Sequence, residues 1–258
     1  MTLFEGKYLN GLKWDGIIYD KEHKHKDKLK NGKGYIKEYS NYSGEIRFEG
    51  EYINGERNGK GKEYISKSYI IFEGEYLNGK WKKGNEFGVG HRIIFAGEYC
   101  NGERKKGKEF NNEGKLLFEG EFMYRKRWNG LLFNKKNNKY SSELKNGKGY
   151  IKEYDSKGKL EFEGEYSNEE INGKGKAYHF NGKLKYEGDY SRGRRKGKGK
   201  EYDINGRLIY EGEYSLGLKN GKGKEYNSKG ELIYEGNFLD GIREEYHIKV
   251  FIKYRIGF

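Results

Sequence analysis

Pairs of glutamates two residues apart, Glu49/Glu51, Glu73/Glu75, Glu163/Glu165 and Glu211/Glu213, have the spacing in this chain that could most directly do chemistry. Two carboxyls on one strand face can divide acid and base work. A catalytic pair is singular, whereas these recur along the chain, so they read as a ladder facing lysines. His23 and His25, in K-E-H-K-H-K-D-K, have an H-x-H spacing able to ligate a metal, but His91, His179 and His247 are scattered and Cys100 is the one thiol. A solvated loop is the reading, with no metal and no cofactor. Cys100 has no local histidine partner and reads as a bystander rather than a nucleophile. Glycine strings such as Gly197-Lys198-Gly199-Lys200 resemble phosphate loops, yet no G-K-S or G-K-T occurs. Neither catalysis nor a small-molecule substrate is expected.

The elements that position these groups are repeats. A pentad F/Y-x-G-x-Y/F begins at Phe4, Phe48, Phe72, Phe95, Phe118, Phe162, Tyr186, Tyr210 and Tyr234, in steps of 44, 24, 23, 23, 44, 24, 24 and 24 residues. Each 44-residue gap holds two units, the second with its pentad worn away. Units therefore start near residues 4, 26, 48, 72, 95, 118, 140, 162, 186, 210 and 234, filling residues 1–258 as one array with 234–258 as its C-terminal cap. The two gaps match one another: W-D-G-I-I-Y-D-K from Trp14 and W-N-G-L-L-F-N-K from Trp128 each precede L-K-N-G-K-G-Y-I-K-E-Y. Duplication of a five-unit block explains this.

Within a unit the alternation is that of a half-buried strand. Leu208, Tyr210, Gly212 and Tyr214 point one way, and Ile209, Glu211 and Glu213 the other. A turn rich in Asn-Gly or Lys-Gly leads to a second strand, K-G-K-E-Y, making each unit a β-hairpin. Glycine weakens a strand interior unless something approaches closely, so Gly212 and Gly223 are expected beneath an aromatic ring. Placing Glu211 opposite Lys224 and Glu213 opposite Lys222 sets Gly212 against Gly223, and leaves Tyr226 on the charged face. One hairpin cannot bury its apolar face alone. The expected fold is all-β: an elongated single-sheet array of about eleven stacked hairpins, a solenoid or trough.

Composition agrees with a thin sheet. Only 33% of residues are hydrophobic, but 25 tyrosines restore apolar area. The formal charge is +13. Basic residues concentrate at the expected turns: Lys80, Lys82 and Lys83 around Trp81; Arg104, Lys105 and Lys106; Arg192, Arg194, Arg195 and Lys196. Turns projecting along one edge would form a basic rail able to meet anionic lipid. Nucleic acid would respond to the same charge, but 40 interleaved acids argue against it. Near the C-terminus Ile248, Val250, Ile252, Tyr254 and Ile256 share one face, as a capping strand or a self-association edge. With one cysteine, no signal-like N-terminus and no long apolar run, a cytoplasmic setting is expected.

Tyr210, Gly212, Tyr214, Gly217, Gly221 and Gly223 spell Y-x-G-x-Y-x-x-G-x-x-x-G-x-G, and Phe48, Gly50, Tyr52, Gly55, Gly59 and Gly61 match it equally. This pattern resembles the MORN repeat over essentially the whole chain. The resemblance implies an extended hairpin array without catalysis of its own. In that family such arrays serve as scaffolds, dimerise, or are proposed to lie against phosphoinositide-bearing membranes. The expected function is a non-enzymatic repeat scaffold for protein–protein interaction or self-association. The alternative is a peripheral module that binds anionic phospholipid through the basic turns.

Overall fold

Strands of alternating aromatic and charged residues, each closed by a two-residue turn, account for nearly all of the computed structural model, which describes residues 3–20, 25–40, 42–66, 69–134, 138–155 and 157–244. The chain divides into two compact units, Met1–Arg125 and Lys126–Phe258. The first holds β1 (Leu3–Leu9), β2 (Leu12–Tyr19), β3 (Lys26–Leu29), β4 (Gly34–Tyr39), β5 (Ile46–Ile53), β6 (Glu56–Ser66), β7 (Tyr69–Leu77), β8 (Lys80–Phe87), β9 (Ile93–Cys100), β10 (Glu103–Phe110) and β11 (Leu116–Met123). The second holds β12 (Lys126–Phe133), β13 (Tyr140–Lys145), β14 (Lys148–Tyr154), β15 (Leu160–Ser167), β16 (Glu170–Tyr178), β17 (Leu184–Ser191), β18 (Arg194–Tyr202), β19 (Leu208–Ser215), β20 (Leu218–Tyr226), β21 (Leu232–Leu239) and β22 (Ile242–Arg243). These 22 strands are the number that eleven hairpins require. Strands pair with their sequence neighbours, antiparallel, except that β1–β3 form a three-stranded sheet of their own, linked to β4 by the Lys30↔Lys33 bridge; neither unit closes on itself.

The turns follow from their residues. Asn78-Gly79 has φ of +49° and +77°, and Arg192-Gly193 +51° and +74°, the pair of positive values a tight hairpin needs and Asn-Gly adopts most readily. Successive turns are also tied together. Gly193 donates its N–H to the carbonyl of Ile171, Gly217 to Arg195 and Gly241 to Lys219, at 2.9–3.0 Å. On the opposite edge, loop side chains reach the next loop: Lys183 Nζ to Asn205 O at 2.9 Å and Arg207 to Ser228 O at 2.9 Å.

The register agrees with the sequence expectation at Glu211↔Lys224 and Gly212↔Gly223. It departs at Glu213, which was expected opposite Lys222. A bulge intervenes, Tyr214 faces Lys219, and the Glu213 carboxylate accepts the backbone N–H of Lys222 at 3.3 Å. Gly221, at φ +89°, supplies the backbone twist. The bulge also explains the mixed period. From the glycine rung to the turn, β19 uses two residues and β20 four, whereas β7 uses two and β8 three, because Gly74 faces Gly84 and Tyr76 faces Trp81. Repeats with the longer bulge run 24 residues and those with the shorter one 23.

The core is a zigzag of rings lying over the glycine rungs. Phe48, Phe72, Phe95, Phe118, Tyr186 and Tyr210 are fully buried. Phe48, Phe72, Phe95, Tyr186 and Tyr210 each meet the fifth residue of their own pentad and that of the next, edge to face. In the second unit Tyr186 meets Tyr190 and Tyr214, and Tyr210 meets Tyr214 and Phe238, with centroids 5.1–5.3 Å apart. Such pairs each contribute about 0.5–1.5 kcal/mol beyond area burial. Glycine is obligatory beneath them: a Cβ on Gly223 would lie 2.6 Å from Cε2 and Cζ of Tyr210.

Candidate interaction surfaces

The sheet has two chemically distinct faces, and the residue type two places past each turn glycine decides what covers the rings. On the aromatic face Arg57 lies over Phe48 at 4.2 Å, Arg104 over Phe95 at 4.6 Å, Arg195 over Tyr186 at 4.3 Å, Lys219 over Tyr210 at 4.5 Å and Arg243 over Tyr234 at 4.7 Å. Trp81 fills the same slot, stacked on Phe72 with centroids 4.4 Å apart and planes 5° from parallel. The glutamate of each K-E-Y run faces the rings too, since Glu225 opposes Tyr210 and Glu201 opposes Tyr186. It anchors the cation: Arg57 bonds Glu38 at 2.6 Å, Arg104 bonds Glu86 at 2.6 Å, Arg195 bonds Glu201 at 3.1 Å, and Glu225 receives both Lys219 and Arg243. Trp81 instead donates its indole N–H to Glu63 at 2.9 Å.

Burial alone would raise the Glu38 carboxyl, but Arg57, and the hydroxyl of Tyr52 that donates to it, hold it below its ordinary value of 4.5. Glu225 is likewise lowered despite burial, by Lys219 and Arg243. These carboxylates are structural counter-ions rather than acids or bases awaiting a substrate.

This arrangement corrects the expected basic rail. Lys80, Trp81, Lys82 and Lys83 begin β8, Arg104, Lys105 and Lys106 lie in β10, and Arg194, Arg195 and Lys196 begin β18; of these candidates Arg192 alone sits in a turn. Because strand side chains alternate, Trp81, Arg104 and Arg195 turn onto the rings and are not free to meet a partner. Lys82 pairs with Glu75 at 3.2 Å. Lys80, Lys83, Lys105, Lys106, Arg192, Arg194 and Lys196 remain exposed. The Trp14 and Trp128 segments lie in β2 and β12. Each ring packs over the glycine of a following turn, Gly32 and Gly147, whose N–H donates to the tryptophan carbonyl at 2.8 Å. Ile248, Val250, Ile252, Tyr254 and Ile256 lie outside the described residues.

The opposite face carries the glutamate pairs and the lysines of each K-G-K. In the second unit it forms a groove of about 840 Å³ from β16 to β21, floored by glycines. Tyr226, the residue that fitted the sequence register least well, donates its hydroxyl to Glu211 at 2.7 Å, and Tyr202 does the same to Glu187 at 2.7 Å. The Glu211 bond, then burial, pushes the Tyr226 hydroxyl up to about 12; for Tyr202 burial leads and Glu187 follows, to about 12. The groove was missed in the sequence because its lysines read as partners of the glutamates, and their surplus emerges only from the bulged register.

Among the described residues no group of three His, Cys, Asp or Glu side chains is placed to hold a metal ion, and no helix is long and apolar enough to cross a membrane. No curated protein matches the chain. The family model for the MORN repeat matches residues 48–67, 162–183, 186–206 and 210–231. Each matched segment takes in the glycine rung, turn and bulge of one hairpin, from β5–β6 and from β15–β16 through β19–β20, and the chain is a MORN-repeat protein.

Proposed function

We propose that this protein is a non-enzymatic, cytoplasmic scaffold, one continuous repeat array that binds a protein partner or a second copy of itself. The observation that carries the reading is the division of labour between faces. The aromatic face is sealed by its own cation–carboxylate pairs, while the other face presents ordered, exposed charge over a groove. MORN repeats are interaction modules without enzymatic activity of their own, and the same rung recurs in repeat after repeat with no singular cluster of reactive groups among the described residues. Light scattering over a wide concentration range, combined with cross-links mapped to residues on a bound partner, tests this. A monomer at every concentration whose cross-links never fall on the array would refute it.

One observation favours the membrane-surface reading as a second. Leu216 is 73% exposed at a turn with φ +52°, beside the turn that carries Arg192. An apolar side chain held out next to exposed Arg194 and Lys196 suits an anionic lipid surface, which attracts each basic residue by about 1 kcal/mol. Flotation with phosphatidylserine vesicles, repeated at raised salt, tests it; absence of binding at low salt would sink it.

A further inference from the structure

The groove of the second unit has an order that the scaffold role does not by itself require. Its floor is a line of six glycines crossing six strands, Gly175, Gly188, Gly199, Gly212, Gly223 and Gly236, each paired with the next. Two rows of side chains flank it. One runs Lys176, Glu187, Lys200, Glu211, Lys224, Glu235; the other runs Lys174, Asp189, Lys198, Glu213, Lys222, Asn237. Six lysines thus meet five carboxylates, because Asn237 stands where the preceding repeats have Asp189 and Glu213.

The carboxylates are already committed. Glu187 and Glu211 accept tyrosine hydroxyls, and Glu213 accepts the N–H of Lys222. Asp189 pairs with Lys174 at 2.6 Å, Glu211 with Lys200 at 3.7 Å and Glu235 with Lys224 at 3.4 Å. Lys176, Lys198 and Lys222 are exposed and make no ion pair among the described residues; Glu163, opposite Lys176 on β15, pairs with Lys152 at 3.4 Å and accepts the Tyr178 hydroxyl. The three exposed lysines stand on β16, β18 and β20, two strands apart each time, or roughly 10 Å at ~4.8 Å per strand, with Lys198 and Lys222 in one row and Lys176 across the floor in the other.

We propose that this groove binds an extended acidic polypeptide segment carrying a carboxylate at every third residue. This deepens the scaffold reading and rests on it. Three residues of polyproline-II chain advance about 9.3 Å and return to the same side, which matches the interval between Lys198 and Lys222 in one row, while Lys176 meets the segment from the row across the floor. The groove is about 24 Å long across five strand spacings, room for seven or eight such residues at ~3.1 Å each. The floor between the two rows is bare backbone, because each rung turns its side-chain direction to the rings on the other face, and the sheet's own N–H and C=O groups are already paired in their ladders, so recognition falls to the side chains. The alternating rows also select among polyanions. A peptide can set neutral residues against Glu211 and Glu213, whereas a nucleic acid brings a phosphate at every nucleotide and would meet both carboxylates. A flat bilayer cannot follow a recessed floor.

Fluorescence anisotropy on the full chain tests this with two labelled peptides of equal composition, one repeating Glu-Gln-Gln and one with its glutamates contiguous. The periodic peptide is expected to bind at least tenfold more tightly than the contiguous one and to weaken as salt rises. A triple variant, Lys176→Gln, Lys198→Gln and Lys222→Gln, which removes charge without adding repulsion, should lose at least tenfold in affinity while keeping its circular dichroism spectrum. The edge variant Lys80→Gln, Lys105→Gln, Arg194→Gln should bind as the parent does. Equal binding of the two peptides, or no effect of the groove triple, overturns the inference. Loss of phosphatidylserine vesicle binding in the groove triple, with no peptide binding by the parent, assigns the groove to lipid and overturns it as well. Cross-links to a partner that fall elsewhere on the array, with no peptide binding, overturn it but leave the scaffold reading standing.

Discussion

Replacing Gly223 by alanine tests the ring-over-glycine rung most sharply. The added Cβ would sit 2.6 Å from two carbons of the Tyr210 ring and nearer still to the hydroxyl oxygen of the same side chain. Tyr210 has nowhere to go: it is fully buried, with Tyr214 and Phe238 at its edges and the Lys219 ammonium over its face. Overpacking of this kind costs about 1–3 kcal/mol. Displacing the ring also strains two edge-to-face contacts worth about 0.5–1.5 kcal/mol each, so the substitution belongs at the top of the range, about 3 kcal/mol. Gly217→Ala, in the same hairpin, is the matched control. It has φ +95° and open space around the new methyl, leaving only left-handed strain of about 1–2 kcal/mol. In a Tyr210→Ala background the cost of Gly223→Ala should almost vanish, a coupling of about 3 kcal/mol, at the top of the range for residues in contact. Urea denaturation gives the totals, and amide exchange in β19 and β20 localises them, since repeat arrays need not melt as one unit. Equal costs at Gly223 and Gly217, or additive costs in the double variant, would refute the close approach.

Three further outcomes are expected. Arg195→Ala should cost about 1–3 kcal/mol by uncovering Tyr186 and leaving Glu201 without its partner, while Arg194→Ala, exposed one residue earlier, should stay within about 0.5 kcal/mol; similar losses in denaturation midpoint would contradict the inward placement. Leu216→Asn should raise stability by about 1 kcal/mol, because asparagine tolerates the positive φ that leucine resists, and an unchanged or lower midpoint would count against the turn geometry. The third outcome concerns pH. Glu38 and Glu225 have folded values below their ordinary 4.5, so the stability they contribute is complete above about 4.5 and lost as pH falls below it. Tyr202, Tyr210 and Tyr226 are raised from 10.0 to about 12, so their contribution is complete below pH 10 and lost between 10 and 12. A Tyr202→Phe, Tyr210→Phe, Tyr226→Phe variant that loses stability between pH 10 and 12 as steeply as the parent would refute the alkaline half.

Much of the fold is legible because its signals are local and repeated. The two-residue period of Leu208, Tyr210, Gly212 and Tyr214 names the buried face, and Gly212 opposite Gly223 follows from matching Glu211 to Lys224. Two things were harder to read. Arg195, Arg104 and Trp81 looked like surface groups because basic residues beside turns usually are. The signal that places them is positional: each stands two residues past its turn glycine, where alternation points a side chain at the rings. The free lysines were hidden for another reason. A simple ladder pairs Glu213 with Lys222, and only the bulge, which adds residues to one strand, diverts that carboxylate to a backbone N–H and leaves the ammonium unneutralised.

The glycine floor also behaves as a ruler. Each repeat in β16–β21 lays down two strands, one unpaired lysine and two glycines, and its rings contact only the repeats on either side. Inserting or deleting a whole repeat would therefore lengthen or shorten the groove by about 10 Å without remaking any interior contact. The span of ligand such a protein can measure is then a matter of gene duplication, adjusted in whole steps rather than by redesign of a site.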